Sequence, residues 1–247
     1  MNQNRAVEHD SSATIQVLDL SHSYDVDGGT LHVLTQTNFA VNAGESVAIM
    51  GPSGAGKTTL LSLIGGLDSV QQGSVQVCGQ ELAQMSSDAL AAYRRHTIGF
   101  VFQDYGLLPT LSATENVELA LTLSGARRHE RRKRAKELLA LVGLENRSDH
   151  RPNALSGGES QRVSIARSLA NAPKVVLADE PTGNLDGAAS DNVLRLLLSL
   201  PGARGCTVVM VTHNLAVARQ CDRIIELQSH SEVTSRESTR RKLVRRQ

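Results

Sequence analysis

The segment GPSGAGKTT, residues 51–59, sets Gly51, Gly56, Lys57 and Thr58 in the spacing G-x-x-x-x-G-K-[ST], after the run ESVAIM (45–50) and before TLLSLIGGL (59–67). In that strand–loop–helix setting the glycines let successive backbone N–H groups close around phosphate oxygens. The helix N-terminus adds about half a unit of positive charge. Lys57 is expected to reach the β- and γ-phosphates and the Thr58 hydroxyl to ligate Mg²⁺, with Pro52, Ser53, Gly54, Ala55 and Thr59 completing the loop. The pattern predicts binding of a nucleoside triphosphate.

Two carboxylates, Asp179 and Glu180, close the apolar run VVLADEP (175–181). The carboxyl end of a buried strand is where open α/β sheets bind ligands. There Asp179 would hold Mg²⁺ and Glu180 would polarise the attacking water for in-line hydrolysis; the plainer reading makes Glu180 a cap on the turn that Pro181 starts. His213 ends TVVMVTH (207–213) and would aim a ring N–H at the γ-phosphate, or be a core histidine. Gln103 ends TIGFVFQ (97–103) and can touch Mg²⁺ or the attacking water. Tyr24 either stacks on a base or covers the core.

A second loop opens the segment LSGGESQR (155–162). Ser156, Gly157 and Gly158 offer a hydroxyl and free amides at a helix start, which is either a glycine-softened N-cap or a second anion site. One triphosphate needs one cradle. Two chains placed head to tail around a twofold axis would set loop 51–58 of one against 156–158 of the other, with nucleotide between them.

Short, nearly all-apolar, valine-rich runs at 45–50, 174–179 and 206–212 have the pattern of strands covered on both faces in a parallel sheet. Segments 14–24 and 30–41, separated by DVDGG, predict two further strands joined by a turn. Residues 104–172 read mainly as helix, with Ala135, Leu138, Leu139 and Val142 at helical spacing and the basic stretch Arg127–Arg134 on the solvated side. The class is α/β.

A formal net charge of +1 and six aromatic residues in 247 argue against a dedicated nucleic-acid binder. Cys78, Cys206 and Cys221 have no metal-ligand spacing and fit buried thiols in a reducing compartment. No apolar run reaches the roughly 20 residues that span a bilayer, and MNQNRAVEHDSS lacks the apolar stretch of a secretion signal, so a membrane role would come through a partner. Residues 1–13 and 229–247 are expected to be flexible, the latter as a basic tail with too few apolar residues to dock.

The segment LSGGESQR, in the order Tyr24, phosphate loop, Gln103, signature, Asp179-Glu180, Asp186, His213, resembles the ATP-binding cassette (ABC) ATPases over residues 14–227. The resemblance implies a P-loop NTPase (RecA-like) core over 14–228, with an antiparallel β subdomain and a helical subdomain, at about 104–158, carrying the signature. It further implies that ATP and Mg²⁺ are the ligands, and that Glu180, His213 and Gln103 act in hydrolysis. Ser156, Gly157, Gly158, Gln161 and Asp186 would then contact the nucleotide of a second copy, and membrane permease subunits would couple through the groove beside Gln103. The chain would lie on the cytoplasmic face of the inner membrane. Segments LIGGLD (63–68), FVFQDYGLLPTLSATENVELAL (100–121) and ADEPTGNLD (178–186) are similar to the subgroup serving lipoprotein release, macrolide export and related FtsX-type permeases. Asn184, where many other members have alanine, agrees with it; the absence of an Asp-Gly hairpin in IIELQSHSE (224–232) departs from it. A soluble cassette of DNA repair or translation is the alternative. It fits less well, because the cassette here is single and uninterrupted.

Overall fold

The computed structural model describes residues 13–27, 29–227 and 233–237. The chain begins with two long antiparallel strands, β1 (Ala13–Val26) and β2 (Gly29–Asn42), followed by β3 (Ser46–Met50), α1 (Lys57–Ile64), β4 (Gln72–Val77) and β5 (Gln80–Glu81). Next come α2 (Ser87–His96), β6 (Ile98–Val101), α3 (Ala113–Leu123), α4 (Arg128–Leu141) and α5 (Gly157–Ser168). The last part holds β7 (Val175–Asp179), α6 (Gly187–Arg204), β8 (Thr207–Val211), α7 (Leu215–Ala218), β9 (Arg223–Leu227) and β10 (Val233–Glu237).

These strands make two sheets. The first, ordered β2-β1-β4-β5, is antiparallel throughout. The second runs β10-β9-β3-β8-β7-β6, with every neighbouring pair parallel except β10 with β9. A strand's side chains alternate between its faces, so the parallel sheet feeds two separate cores. Val175, Leu177, Val209 and Val211 pack with Leu60, Leu63 and Ile64 of α1 and with the antiparallel sheet. Val176, Ala178, Val208 and Met210 pack with α3, α4, α5 and α6 through Val117, Leu138, Val163 and Leu197. The phosphate loop therefore starts a helix in one layer and the signature starts a helix in the other.

Local chemistry sets the helix starts. Ser112 and Ser156 each form a capping box, with Glu115 and Glu159 returning a carboxylate to the cap's own N–H. Ala135, Leu138, Leu139 and Val142 are all buried, as their spacing predicts, and the basic residues between Arg127 and Arg134 face water or are half-buried.

Two elements were not read from the sequence. Helix α2 has a single buried residue, Tyr93, so no apolar period announces it. The C-terminal segment is not wholly a loose tail: Val233–Glu237 runs antiparallel to Arg223–Leu227 as an edge strand. Strand pairing uses main-chain groups, so a segment poor in apolar side chains can still form it. This pairing extends the sheet beyond β9, although the sequence there has no Asp-Gly turn. The remainder of the expected tail, 229–232 and 238–247, and residues 1–12 lie outside the described residues.

Candidate active site

The phosphate loop leaves β3 and enters α1 through Gly56, which is its N-cap at φ 82°. A side chain there would be strained, and a Cβ would come within 2.9 Å of Val33 and Leu34 of β2. The loop is thus closed by glycine where it crosses the antiparallel sheet. Lys57 Nζ donates to the carbonyls of Gly51 (2.9 Å) and Pro52 (2.8 Å), which holds the ammonium over the loop mouth. Gly51, Gly56, Lys57 and Thr59 are half-buried; Pro52, Ser53, Gly54 and Thr58 are exposed, and Ala55 is buried beneath them.

Strand β7 lies two strands from β3, with β8 between them, and its carboxyl end carries the two carboxylates. Thr58 Oγ1 and Asp179 Oδ1 are 3.5 Å apart, across the gap from α1 to β7. Burial pushes the Asp179 carboxyl up; the Thr58 hydroxyl lowers it, the charge of Glu180 raises it and Lys57 lowers it. A hard-oxygen pair with a carboxylate held above its usual range gains from a cation, and these two residues fit Mg²⁺.

Glu180 sits at φ 43°, a left-handed conformation that a non-glycine residue adopts at a cost of about 1–3 kcal/mol. Its N–H donates to Val211 O (3.0 Å) and its carbonyl accepts from Gly183 N (3.0 Å), so the surrounding turn enforces that geometry. Its Oε1 accepts from His213 N–H at 3.0 Å and lies 2.8 Å from His213 Nδ1. The Glu180 side chain is 15% exposed and that of His213 is 74% exposed, so the histidine covers the carboxylate from the solvent side. His213, read from the sequence either as aimed at phosphate or as a core histidine, is exposed and paired with Glu180. An open cavity of about 420 Å³, lined by Glu180, Gly183, His213 and Asn214, adjoins the pair.

Gln103 is exposed at the end of β6, and its Nε2 donates to Asn184 Oδ1 (3.3 Å). Asn184 returns hydrogen bonds to Gln103 O (3.3 Å) and Asp104 Oδ1 (3.1 Å). This amide pair ties the segment after β6 to the segment after Glu180, a link across 81 residues that no local pattern contains. Tyr24, at the end of β1, is 37% exposed and donates from Oη to Asp68 Oδ2 (3.0 Å).

At the signature, Ser156 is exposed and caps α5: its Oγ accepts from Glu159 N (3.2 Å) and its N–H donates to Glu159 Oε2 (2.8 Å). The Ser156 N–H holds the Glu159 carboxyl below its usual range, with Arg147 Nε at 2.9 Å assisting. The two glycines have a reason inside this chain as well. A Cβ on Gly157 would come within 2.8 Å of the Tyr105 hydroxyl, and one on Gly158 within 2.8 Å of Ala189 Cβ on α6. Asp186 is exposed and caps α6 by accepting from Ala189 N (2.8 Å). No hydrogen bond joins residues 51–58 to 156–158 among the described residues.

One expected site residue is displaced. Gln161, assigned to the nucleotide of a second copy, is fully buried in its own chain. Its Nε2 donates to Pro181 O (2.9 Å) and Phe102 O (3.3 Å), locking the signature helix to the turn after Glu180. Position 161 lies one turn into α5, where the segments after β6 and β7 pack over the helix and take up its amide.

The ABC transporter family matches residues 34–183, which hold the phosphate loop, Gln103, the signature, Asp179 and Glu180. The chain is 49% identical over 215 residues to the macrolide export ATP-binding/permease protein MacB of Rhodopseudomonas palustris, covering 87% of this chain and 33% of that protein. It is 46% identical over 214 residues to the lipoprotein-releasing system ATP-binding protein LolD of Idiomarina loihiensis, covering 87% of this chain and 94% of that one. Its fold superposes with a TM-score of 0.83, at 41% identity, on the ATP-binding cassette MJ0796, solved as a dimer in a post-hydrolysis state bound to ADP and Pi; the match covers 90% of this chain and 98% of that chain. The chain thus spans a third of its MacB relative and nearly all of its LolD relative. With the strand–loop–helix cradle, the two carboxylates at the carboxyl end of the parallel sheet and these matches in agreement, the chain belongs to the ABC transporter family, as an ATP-hydrolysing cassette.

Proposed function

We propose that this cassette drives an FtsX-type membrane permease, in lipoprotein release or macrolide export, by closing head to tail with a second copy on two molecules of Mg·ATP. The observation that carries the dimer is the separation of the two anion-binding helix starts. Lys57 and Ser156 open helices on opposite layers of the parallel sheet, and no hydrogen bond joins their loops among the described residues. Ser156, Gly157 and Gly158 then serve the partner's γ-phosphate, with Asp186 at the same interface. Gln161 holds α5 in place from behind.

Within each site Lys57 neutralises the β- and γ-phosphates, and Thr58 and Asp179 hold Mg²⁺, with Gln103 reaching it from the end of β6. The ion, when bound, screens the negative charge that develops on the phosphates. Glu180 accepts the proton of the attacking water. His213 keeps the carboxylate turned to that task through its N–H and ring contacts, and presents its other ring nitrogen to the γ-phosphate. Tyr24 supports the adenine. Residues of about 104–158 form the helical subdomain that turns toward the partner.

A groove of about 460 Å³ beside Gln103, lined by Arg94, Phe100, Phe102, Ala120, Leu123 and Arg167, is the docking surface for the permease. Phe100 and Phe102 stack there with centroids 5.4 Å apart, and Phe102 and Leu123 are 40% and 67% exposed. No described helix is long and apolar enough to cross a membrane, which agrees with a cassette held at the inner membrane's cytoplasmic face by its permease. The test is Glu180→Gln: the variant is expected to keep ATP affinity while phosphate release falls at least about a hundredfold, as removal of a positioned general base requires. Turnover within about tenfold of the parent would remove Glu180 from that role. Failure of the chain to co-purify with an FtsX-type permease expressed from the same genome would refute the permease assignment, and undiminished co-purification of a Phe102→Glu variant would refute the groove as its docking surface.

A further inference from the structure

The segment that follows the phosphate-loop helix holds the end of β1 through several side chains. Tyr24 Oη donates to Asp68 Oδ2 at 3.0 Å. Two hydrogen bonds join Gln71 to Ser23: Ser23 N–H to Gln71 Oε1 (2.8 Å) and Gln71 Nε2 to Ser23 O (2.9 Å). Beside these lies His22, 3% exposed, whose ring meets the Tyr24 ring edge-on with centroids 4.8 Å apart at 75°. His22 Nε2 lies 3.5 Å from the same Asp68 oxygen, outside hydrogen-bonding geometry, and neither ring nitrogen has a hydrogen-bond partner. Burying an imidazole in that condition is unfavourable, so its presence calls for a purpose. It supplies a rigid wall behind the tyrosine.

Asp68 is itself fastened to α1. Leu67 N–H and Asp68 N–H both return to Ser62 O, at 2.8 and 3.4 Å, and Asp68 Oδ1 accepts from Ser69 N–H at 2.7 Å. The carboxylate that receives the Tyr24 hydroxyl is therefore carried by the helix whose first residue is Lys57. We propose that Asp68 is a positioning residue for the Tyr24 ring, so that the purine platform and the phosphate cradle are set by one rigid element. The proposal rests on the reading of Tyr24 as the adenine platform. A ring on two soft torsions loses freedom when its hydroxyl is anchored, and that loss is met before nucleotide arrives. Preorganisation of this kind shows in affinity for the base and leaves phosphate binding alone.

The experiment measures Kd by calorimetry on the full chain with Mg²⁺, for ATP and for tripolyphosphate, which has no base. Asp68→Ala is expected to weaken ATP about fivefold, the cost of ordering the ring when nucleotide binds, and to leave tripolyphosphate unchanged. Asp68→Asn, which keeps an acceptor oxygen, should recover to within about twofold of the parent. Tyr24→Phe with Asp68→Ala should be no weaker than Asp68→Ala alone, because the two changes delete one interaction. Equal losses for both ligands, or additive losses in the double variant, would overturn the proposal. If Tyr24→Ala weakens ATP and Asp68→Ala does not, the positioning role alone fails; if Tyr24→Ala has no effect, the platform reading fails first.

Discussion

Ser156 carries two assignments that a single substitution separates. Inside its own chain it is the N-cap of α5, with Oγ accepting from Glu159 N–H at 3.2 Å. Across the proposed dimer it faces a γ-phosphate. Ser156→Asp preserves the first role, because Asp and Ser are equivalent N-caps, and reverses the second. A carboxylate about 4 Å from a phosphate charge costs about 1 kcal/mol in water and about 4 kcal/mol at an effective dielectric of about 20. Two composite sites double this to roughly 2–8 kcal/mol, which weakens the dimer at least about 30-fold. The assay is size-exclusion chromatography of the Glu180→Gln chain with ATP, expected to run as a dimer when Ser156 is kept and as a monomer when Ser156→Asp is added. Monomer affinity for ATP should be kept, since residues 51–59 are untouched. Ser156→Ala gives the opposite pattern: the cap is lost, at about 1 kcal/mol and a Tm lower by about 2–4 °C, without an introduced charge. A dimer of undiminished affinity in the Ser156→Asp variant would refute the trans role and leave Ser156 as a cap alone.

Gln161→Glu should destabilise the chain more than Gln161→Leu does, because a buried carboxylate would face the carbonyls of Pro181 and Phe102 without a donor; urea unfolding compares the two. Gly158→Ala should be less stable than Gly187→Ala by about 1–3 kcal/mol in the same assay, since a Cβ at 158 lies 2.8 Å from Ala189 Cβ while one at 187 meets open space. Burial raises the Asp179 carboxyl above its ordinary 3.8, with opposing and reinforcing neighbours. A raised acid stabilises the fold while it is protonated, below its unfolded value, and loses that contribution as pH rises through its folded value. Asp179→Asn in EDTA should therefore raise Tm at about pH 7, with the gain shrinking as pH falls toward about 4; a gain that grows on acidification would contradict the burial argument.

Much of the chemistry was local and so readable before folding. The phosphate loop, its flanking runs and the pair Asp179-Glu180 each lie within one strand–turn–helix unit, where residue order and spatial order coincide. The Ser156-to-Glu159 spacing likewise announces a helix start, because a capping box spans a single turn. Other features depend on separations that no window contains. Asn184 meets Gln103 across 81 residues and Asp68 meets Tyr24 across 44, so only the packing of the sheets gives those side chains their partners. Gln161 reads in sequence as part of a surface motif, yet the segments after β6 and β7 pack over it and bury it. The polar helix α2 and the edge strand β10 are held by tertiary and main-chain contacts instead of an apolar period of their own. Residue types thus determined which reaction this chain performs, since phosphate and water are activated by particular groups at short spacing. The tertiary structure decided which of these side chains stand exposed around the loops and which brace them from within, because burial and long-range pairing exist only once the two layers close on the sheet.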